Sequence, residues 1–254
     1  MRVMILTPSR GTISLAQRDM LLRLAVRLKD SGHHMSFADD TTSGLLSHSR
    51  NLLLGTSVLR SHQLDWLLWL DADISFGHES ILEMMWRPEE IIAWTYPMRI
   101  PFDVLNPPEP ERGHAELLLA GGSRWTAWPR YLSDGSMVWS PDQRLVELEQ
   151  CGFGAVLMRP QVARRMYHLA PRKGVDWTRR FYIPGFDLSW DSFGNLSSED
   201  ISFCRKIRAE GHRIWCDPRP YVTNGQTGGR FDDELSRSEE RAEFLSLFSS
   251  LMSD

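Results

Sequence analysis

A short apolar segment that ends in two aspartates constrains the fold of this chain more than any other feature. Residues 66–70 read Trp-Leu-Leu-Trp-Leu, and Asp71-Ala72-Asp73 follows directly. An uninterrupted apolar run of this length is typical of a strand that is buried on both faces, as in parallel sheets covered by helices. We therefore predict an α/β fold in which Asp71 and Asp73 stand at the end of a central strand.

The segments around this run alternate between β-rich runs and helical periodicity. The predicted strands are residues 2–7, 34–38 and 91–96, and the predicted helices are residues 14–29 and 45–61. This alternation predicts a mostly parallel sheet with crossover helices on its faces. After residue 97 a long loop and several short, antiparallel strands follow. We expect one domain over residues 1–254, with a nucleotide-binding half (1–96), an acceptor and catalytic half (97–231) and a C-terminal helix (232–254).

Composition limits the classes of partner. The formal net charge is -4, so a nucleic acid would have to be bound by a local basic patch rather than by overall charge. The three cysteines form no CxxC pair, which argues against a disulfide framework or a structural zinc site. No apolar run approaches the ~20 residues that cross a bilayer. We expect a cytoplasmic protein without a membrane segment.

The spacing of Asp71 and Asp73 suits the binding of a nucleotide through a metal. In open α/β sheets, ligands bind at the carboxyl ends of the strands. Two carboxylates there can bind Mn²⁺ or Mg²⁺, and a diphosphate supplies further oxygen ligands. The alternative is a solvated turn after a strand.

A second acidic pair, Glu199-Asp200, follows Ser198 at the start of a predicted helix. A carboxylate at this position can act as a general base on an acceptor hydroxyl. Acidic residues in a first helical turn also stabilise the helix dipole, and this structural interpretation stays open.

Taken together, these segments resemble GT-A glycosyltransferases, in particular the inverting family-two type. The resemblance extends to about residue 228, and four segments carry it in the order that the family has them: Leu6-Thr7-Pro8-Ser9-Arg10, then Ser49-Arg50-Asn51, then Trp69 to Ile74, and finally Cys151 to Arg159 with Ser198 to Cys204. It implies a GT-A fold with a small antiparallel extension on the acceptor side.

The resemblance also assigns roles on the donor side, with a UDP-sugar as the expected donor. The nucleoside would be bound by the first loop and by the end of the second strand, through Thr7, Pro8, Arg10 and Asp39 or Asp40. Arg50 would lie near the diphosphate, and Asp71 would face the ribose or the sugar. Gly152 and Gly154 would let the backbone approach the donor sugar, since glycine has no side chain.

For catalysis, the resemblance implies that Asp200 is the general base and that Glu199 contacts the acceptor. Asp73 would bind the metal. The family often has a metal-binding histidine after its last strand, and this chain has Asn224 there. An amide oxygen can still bind Mg²⁺ or Mn²⁺, so Asn224 is included among the predicted metal ligands.

The nature of the acceptor is left open between DNA and a carbohydrate or small molecule. The segment Arg159 to Arg180 carries seven basic residues with interleaved aromatic residues, a composition that suits a phosphate backbone with splayed bases. Phage DNA-modifying glycosyltransferases, which act on hydroxymethylpyrimidines, share the implied fold. The alternative is a solvated helix face that pairs with the acidic residues 232–243. Five tryptophans suit stacking on sugar rings and on bases alike: Trp125, Trp128, Trp139, Trp177 and Trp190.

Two other classes of function remain. A nucleotidyltransferase would share the nucleotide-binding half and the paired aspartates, although Thr7 to Gly11 is a poor version of its glycine-rich signature. A non-catalytic module that binds nucleotide-sugars or DNA is the alternative to an enzyme. The retention of Asp71, Asp73 and Asp200 argues against such a module.

Overall fold

A computed structural model describes residues 1–8, 13–40, 45–96, 126–169, 182–190, 194, 196–219 and 223–224. Several predicted features lie outside these residues. They are Arg10, the long loop after residue 97, most of the basic aromatic segment and the C-terminal helix.

The described residues form twelve strands and five α-helices. The strands are β1 Arg2–Pro8, β2 His34–Asp40, β3 Trp66–Leu70, β4 Ile74–Ser75, β5 Ile91–Trp94, β6 Ala127–Pro129, β7 Val146–Cys151, β8 Ala155–Met158, β9 Ser189–Trp190, β10 Leu196–Ser197, β11 Ile214–Asp217 and β12 Thr223–Asn224. The helices are α1 Leu15–Asp30, α2 Leu46–Arg60, α3 His78–Met84, α4 Pro160–Leu169 and α5 Glu199–Ala209, and one 3₁₀ turn covers Ser61–Gln63.

Eight strands form one sheet in the order β2-β1-β3-β8-β5-β11-β7-β6. The pairs β1–β2, β1–β3 and β5–β11 are parallel, whereas β8 and β7 run against their neighbours. Six of the eight strands therefore point in the same direction. The predicted fold class, a mostly parallel central sheet flanked by helices with a smaller antiparallel part, is confirmed. The antiparallel part comprises the β7–β6 edge and two ribbons, β9–β10 and β4–β12.

Strand β3 is buried on both faces, as its sequence predicts. Its five residues are completely buried, and they alternate between two hydrophobic clusters. Leu67 and Trp69 belong to the cluster that includes residues of α2, α4 and α5, whereas Trp66, Leu68 and Leu70 belong to the cluster with residues of α1 and α3. The period-2 alternation of a strand thus divides one apolar run between two cores.

Local signals set the ends of the helices. Ser14 caps α1, because its side-chain oxygen accepts a hydrogen bond from the Gln17 N–H at 3.1 Å. The helix ends before Gly32, whose φ of +68° is a left-handed conformation that glycine adopts without strain. None of the described helices has the length and apolar character that a bilayer crossing requires.

We expect Trp69→Ala to destabilise the protein by about 3–5 kcal/mol. The Trp69 ring is fully buried against Phe153 and Phe186, so its removal leaves a cavity between α2 and the sheet. The measurement is the free energy of unfolding in urea. The matched control is Trp86→Ala, because Trp86 is 72% exposed and its loss should cost less than about 0.5 kcal/mol. Equal effects of the two changes would contradict this view of the core.

Candidate active site

The carboxyl ends of three parallel strands meet at one edge of the sheet. The register pairs Thr7 with Asp39 and Pro8 with Asp40, and β3 ends beside them in Asp71. These five residues were each assigned to the donor site from the sequence. The structure brings them to the edge at which open α/β sheets bind ligands.

Three consecutive residues of α2 reach three different parts of this edge. Successive residues of a helix point about 100° apart, so neighbours in sequence contact different elements. Ser49 donates a hydrogen bond from Oγ to Oδ2 of Asp40 at 2.8 Å. Asn51 accepts hydrogen bonds at Oδ1 from the N–H groups of Gly185 and Phe186, at 2.9 and 2.7 Å. Arg50 lies between them.

The Arg50 guanidinium is completely buried and binds three carboxylates. Nη2 lies 3.1 Å from both carboxylate oxygens of Asp71. Nη1 lies 3.0 Å from Oε1 of Glu199 and also donates to Oδ1 of Asp200. Arg50 therefore connects the end of β3 with the start of α5. The groups that contact the guanidinium are carboxylates, so a place of Arg50 near a diphosphate stays a prediction.

The start of α5 presents both acidic side chains to Arg50. Ser198 is the N-cap and accepts a hydrogen bond from the Ile201 N–H at 3.5 Å, and Glu199 and Asp200 follow in the first turn. The carboxylates lie where they stabilise the helix dipole, and one guanidinium also links them to Asp71. A role of this pair as a general base stays a prediction.

The charges of this cluster do not balance, since three carboxylates surround one guanidinium. Burial raises the pKa of Asp200 to about 7; Arg50 opposes this shift, and Glu199 and Asp71 add to it. Burial lowers the pKa of Arg50, but Asp200, Asp71 and Glu199 together raise it above its ordinary value. Arg50 thus stays charged at any physiological pH, while Asp200 titrates near neutrality.

Tyr96 is a site residue that the sequence analysis missed. Its hydroxyl accepts a hydrogen bond from the Gly154 N–H at 2.8 Å. A Cβ atom on Gly152 or Gly154 would lie 2.5 Å from this hydroxyl oxygen. A larger residue at either position would therefore collide with the Tyr96 side chain. The approach of these glycines to a donor sugar stays a prediction. The only signal in the sequence was that Tyr96 ends a predicted strand.

The turn after β3 fixes the two aspartates. Asp71 donates its N–H to the Gly154 carbonyl at 2.9 Å, and its own carbonyl accepts from Gln17 Nε2 at 2.8 Å. Asn224 pairs with Ile74 in the β4–β12 ribbon, so its backbone lies beside the residue that follows Asp73. Positions 73 and 224, both predicted to bind metal, are thus neighbours. Among the residues that the structure describes, no three His, Cys, Asp or Glu side chains are grouped so that they could hold a metal by themselves.

The end of β2 distinguishes the two aspartates that were predicted as alternatives for the nucleoside. Asp40 is buried and its carboxylate is bound to Ser49 of α2, whereas Asp39 is partly exposed. Thr7 is fully buried, and its hydroxyl has no hydrogen-bond partner within the described part of the chain. Asp39 is therefore the more accessible of the two carboxylates.

The described part of the predicted basic segment is occupied by intramolecular contacts. The Arg159 guanidinium stacks on the Trp66 ring, with Cζ 3.5 Å from the ring centroid. Arg165 binds Glu210 through Nε at 2.6 Å, and Arg164 reaches the Ser61 hydroxyl at 3.5 Å. These three residues behave as structural groups, and binding of DNA by this segment stays a prediction.

No protein-family model matches the chain, and no curated protein sequence is significantly similar to it. Three solved structures are similar in outline. A197 from STIV has a TM-score of 0.45 and 11% identity over 92% of this chain and 100% of that one. The catalytic domain of Drosophila β1,4-galactosyltransferase 7, in complex with xylobiose, has values of 0.43 and 13% over 95% and 79%. GalNAc-T7 with UDP, GalNAc and Mn²⁺ has values of 0.37 and 10%, and this chain covers 49% of it. At TM-scores below 0.5, these likenesses carry no conclusion about activity.

We expect Arg50→Met to lower the free energy of unfolding at pH 8 by about 3–5 kcal/mol, because it leaves three largely buried carboxylates together without their cation. The loss should be smaller at pH 5, where those carboxylates can take up protons. Urea unfolding at both pH values measures it. The control is Arg144→Met, since the pair that Arg144 forms with Glu83 is half exposed and should contribute at most about 1 kcal/mol. A loss at pH 8 no larger than that of the control would refute the central role of Arg50.

Proposed function

We propose that this protein is a GT-A type glycosyltransferase that moves a sugar from a nucleotide-sugar to an acceptor hydroxyl. The observation that carries the proposal is the cluster around Arg50. It joins the aspartate at the end of a central strand to an acidic pair at the start of a helix. Transfer of a sugar is favoured when the group that binds the donor and a base for the acceptor hydroxyl are held close to one another. The cluster supplies both.

The nucleotide-sugar would bind at the edge formed by the ends of β1, β2 and β3. Thr7, Pro8 and Asp39 line the ends of the first two strands, and Asp71 follows the third. Backbone and carboxylate groups at such strand ends suit the base and ribose of a nucleotide. We assign a UDP-sugar to this edge, following the resemblance in sequence.

The residues at this edge fit a divalent cation by their chemistry. Asp73, Asp71 and Asn224 offer carboxylate and amide oxygens, which are the ligands that Mn²⁺ and Mg²⁺ take in proteins. Because Arg50 already binds both oxygens of Asp71, the protein supplies few ligands by itself, and the diphosphate of the donor would provide the others. When bound, the cation offsets the charge that develops on the leaving diphosphate.

Asp200 is the proposed general base. It removes the proton of the acceptor hydroxyl as that oxygen bonds to the anomeric carbon, and the bond from that carbon to the diphosphate breaks. Attack from the face opposite the leaving group inverts the anomeric configuration. A base is most effective when its pKa lies near the working pH, and a value of about 7 for Asp200 meets this condition. Arg50 holds the carboxylate in place, and Glu199 beside it contacts the acceptor.

The first test is release of a nucleoside diphosphate from a panel of nucleotide-sugars with Mn²⁺. We expect Asp200→Asn to lower turnover by about 10²–10⁴-fold, because the base is lost. Binding of the donor, measured by calorimetry, should persist, since Asp200 lies on the acceptor side. Asp73→Ala serves as the comparison on the donor side and should weaken binding as well. Release from no donor would argue against an enzyme and favour a binding module.

The pH profile gives an independent test. A base works only when it is deprotonated, so kcat/KM should fall as the pH drops through about 7, the value to which burial raises the pKa of Asp200 in the free protein. The residual rate of Asp200→Asn should lack this acidic limb. An acidic limb that is unchanged in Asp200→Asn would assign it to another group.

A further inference from the structure

In the ribbon of β9 and β10, the polar side chains face the protein and the apolar side chains face the solvent. Ser189 pairs with Ser197, and Trp190 pairs with Leu196. Residues directly opposite one another in an antiparallel pair project to the same face. Ser197 is buried, whereas Trp190 and Leu196 are 71% and 52% exposed. The serine pair therefore faces the protein and the apolar pair faces outwards, the reverse of the usual arrangement in a half-buried ribbon.

Hydrogen bonds from α5 and α2 hold the segments around this exposed apolar face. Arg205 of α5 donates from Nη1 to the Ser197 hydroxyl at 2.8 Å. Before the ribbon, Lys206 of α5 binds Asp187 at 3.1 Å and the Gly185 carbonyl at 3.0 Å, and Asn51 binds the N–H of Gly185. Both strands thus connect to segments that α5 or α2 holds in place.

The ribbon also leads directly into the acidic pair. Leu196 precedes Glu199 by three residues, and Trp190 lies opposite Leu196. The length of the chain and the spacing of paired strands therefore keep the backbone of Trp190 within roughly 16 Å of Glu199. An acceptor with its reacting hydroxyl at Asp200 would extend from there towards the exposed indole.

The charge of the Arg50 cluster and the small extent of the apolar face limit the class of ligand that this face can bind. The adjoining cluster has three carboxylates against one guanidinium, so its field opposes a phosphate backbone that, unlike the proposed donor diphosphate, is not bound through a divalent cation. Among the described residues of this stretch, the exposed apolar groups are Leu188, Trp190 and Leu196, far fewer than the 20–30 residues on each side of a typical protein interface. The negative face of an indole attracts the weakly positive C–H groups on the apolar face of a pyranose ring.

We propose that the outward face of the β9–β10 ribbon, formed by Trp190 and Leu196, binds a neutral sugar ring of the acceptor, so that the acceptor is a carbohydrate. This proposal rests on the function proposed above and specifies its acceptor. Trp190 is a binding group for the ring next to the one that reacts, and it takes no part in the chemistry.

The test uses the full chain with the best donor of the panel. The acceptor probes are four neutral disaccharides (lactose, cellobiose, xylobiose and chitobiose) and a single-stranded oligonucleotide that contains 5-hydroxymethylcytosine. Release of nucleoside diphosphate is measured with each probe and with water alone. Saturation-transfer NMR detects binding of the disaccharides independently of turnover.

We expect at least one disaccharide to bind and to accelerate release. Trp190→Ala should raise its KM by about tenfold or more, the scale of one lost stacking contact, and should abolish the saturation-transfer signal. Trp190→Phe should retain most of the affinity, because it keeps an aromatic face. Trp86→Ala is the matched control, as an equally exposed tryptophan outside the site, and should change nothing.

Several outcomes would overturn the proposal while the glycosyltransferase function stands. They are a KM that stays within about twofold in Trp190→Ala, acceleration by the oligonucleotide alone, and the absence of binding by every disaccharide. A change from dimer to monomer in Trp190→Ala with an unaltered KM would assign the face to self-association instead. If no donor is turned over, the function proposed above fails, and the NMR comparison still decides whether the ribbon binds sugars.

Discussion

The burial of Arg50 among Asp71, Glu199 and Asp200 is the interaction on which the rest of the site depends. A guanidinium without water is costly unless opposite charge lies beside it, and here carboxylates from two elements contact it. Two elements supply them, the end of β3 and the start of α5, and α2 carries the arginine. The requirement to pair one buried cation therefore fixes how two helices stand against the edge of the sheet.

The imbalance of this cluster suits a binding site better than a structural ion pair. One carboxylate would neutralise Arg50, and each additional one adds repulsion that costs stability. Proteins keep such destabilising groups where function needs them. The high pKa of Asp200 has the same origin, in burial beside other carboxylates with one cation to share. Under the proposed function, a cation and a donor sugar would bind at a cluster that carries excess negative charge.

The sequence predicted those features that follow from local pattern. The apolar run of β3, the strand ends at Thr7, Asp39 and Asp71, and the Ser198 cap each depend on a few neighbouring residues. Features that depend on contacts between residues far apart in the sequence were not predicted. Arg50 and Asp200 are 150 positions apart, and nothing in either segment specifies the other. The sequence predicts that Gly152 and Gly154 approach a ligand, whereas the space beside them is occupied by the ring of Tyr96, which follows β5 and is more than 50 positions away in the sequence. The insertion of β8 between β3 and β5 against their direction likewise results from tertiary pairing.

Helix α2 joins the two halves of the proposed reaction. Arg50 holds the carboxylates, and the next residue, Asn51, holds the segment that leads into the β9–β10 ribbon through two backbone N–H groups. The base itself is carried by α5, and α5 also binds the ribbon through Arg205. Contacts with α2 and α5 together therefore set the distance between a bound acceptor ring and the proton-accepting oxygen, and such positioning accelerates a reaction between two substrates.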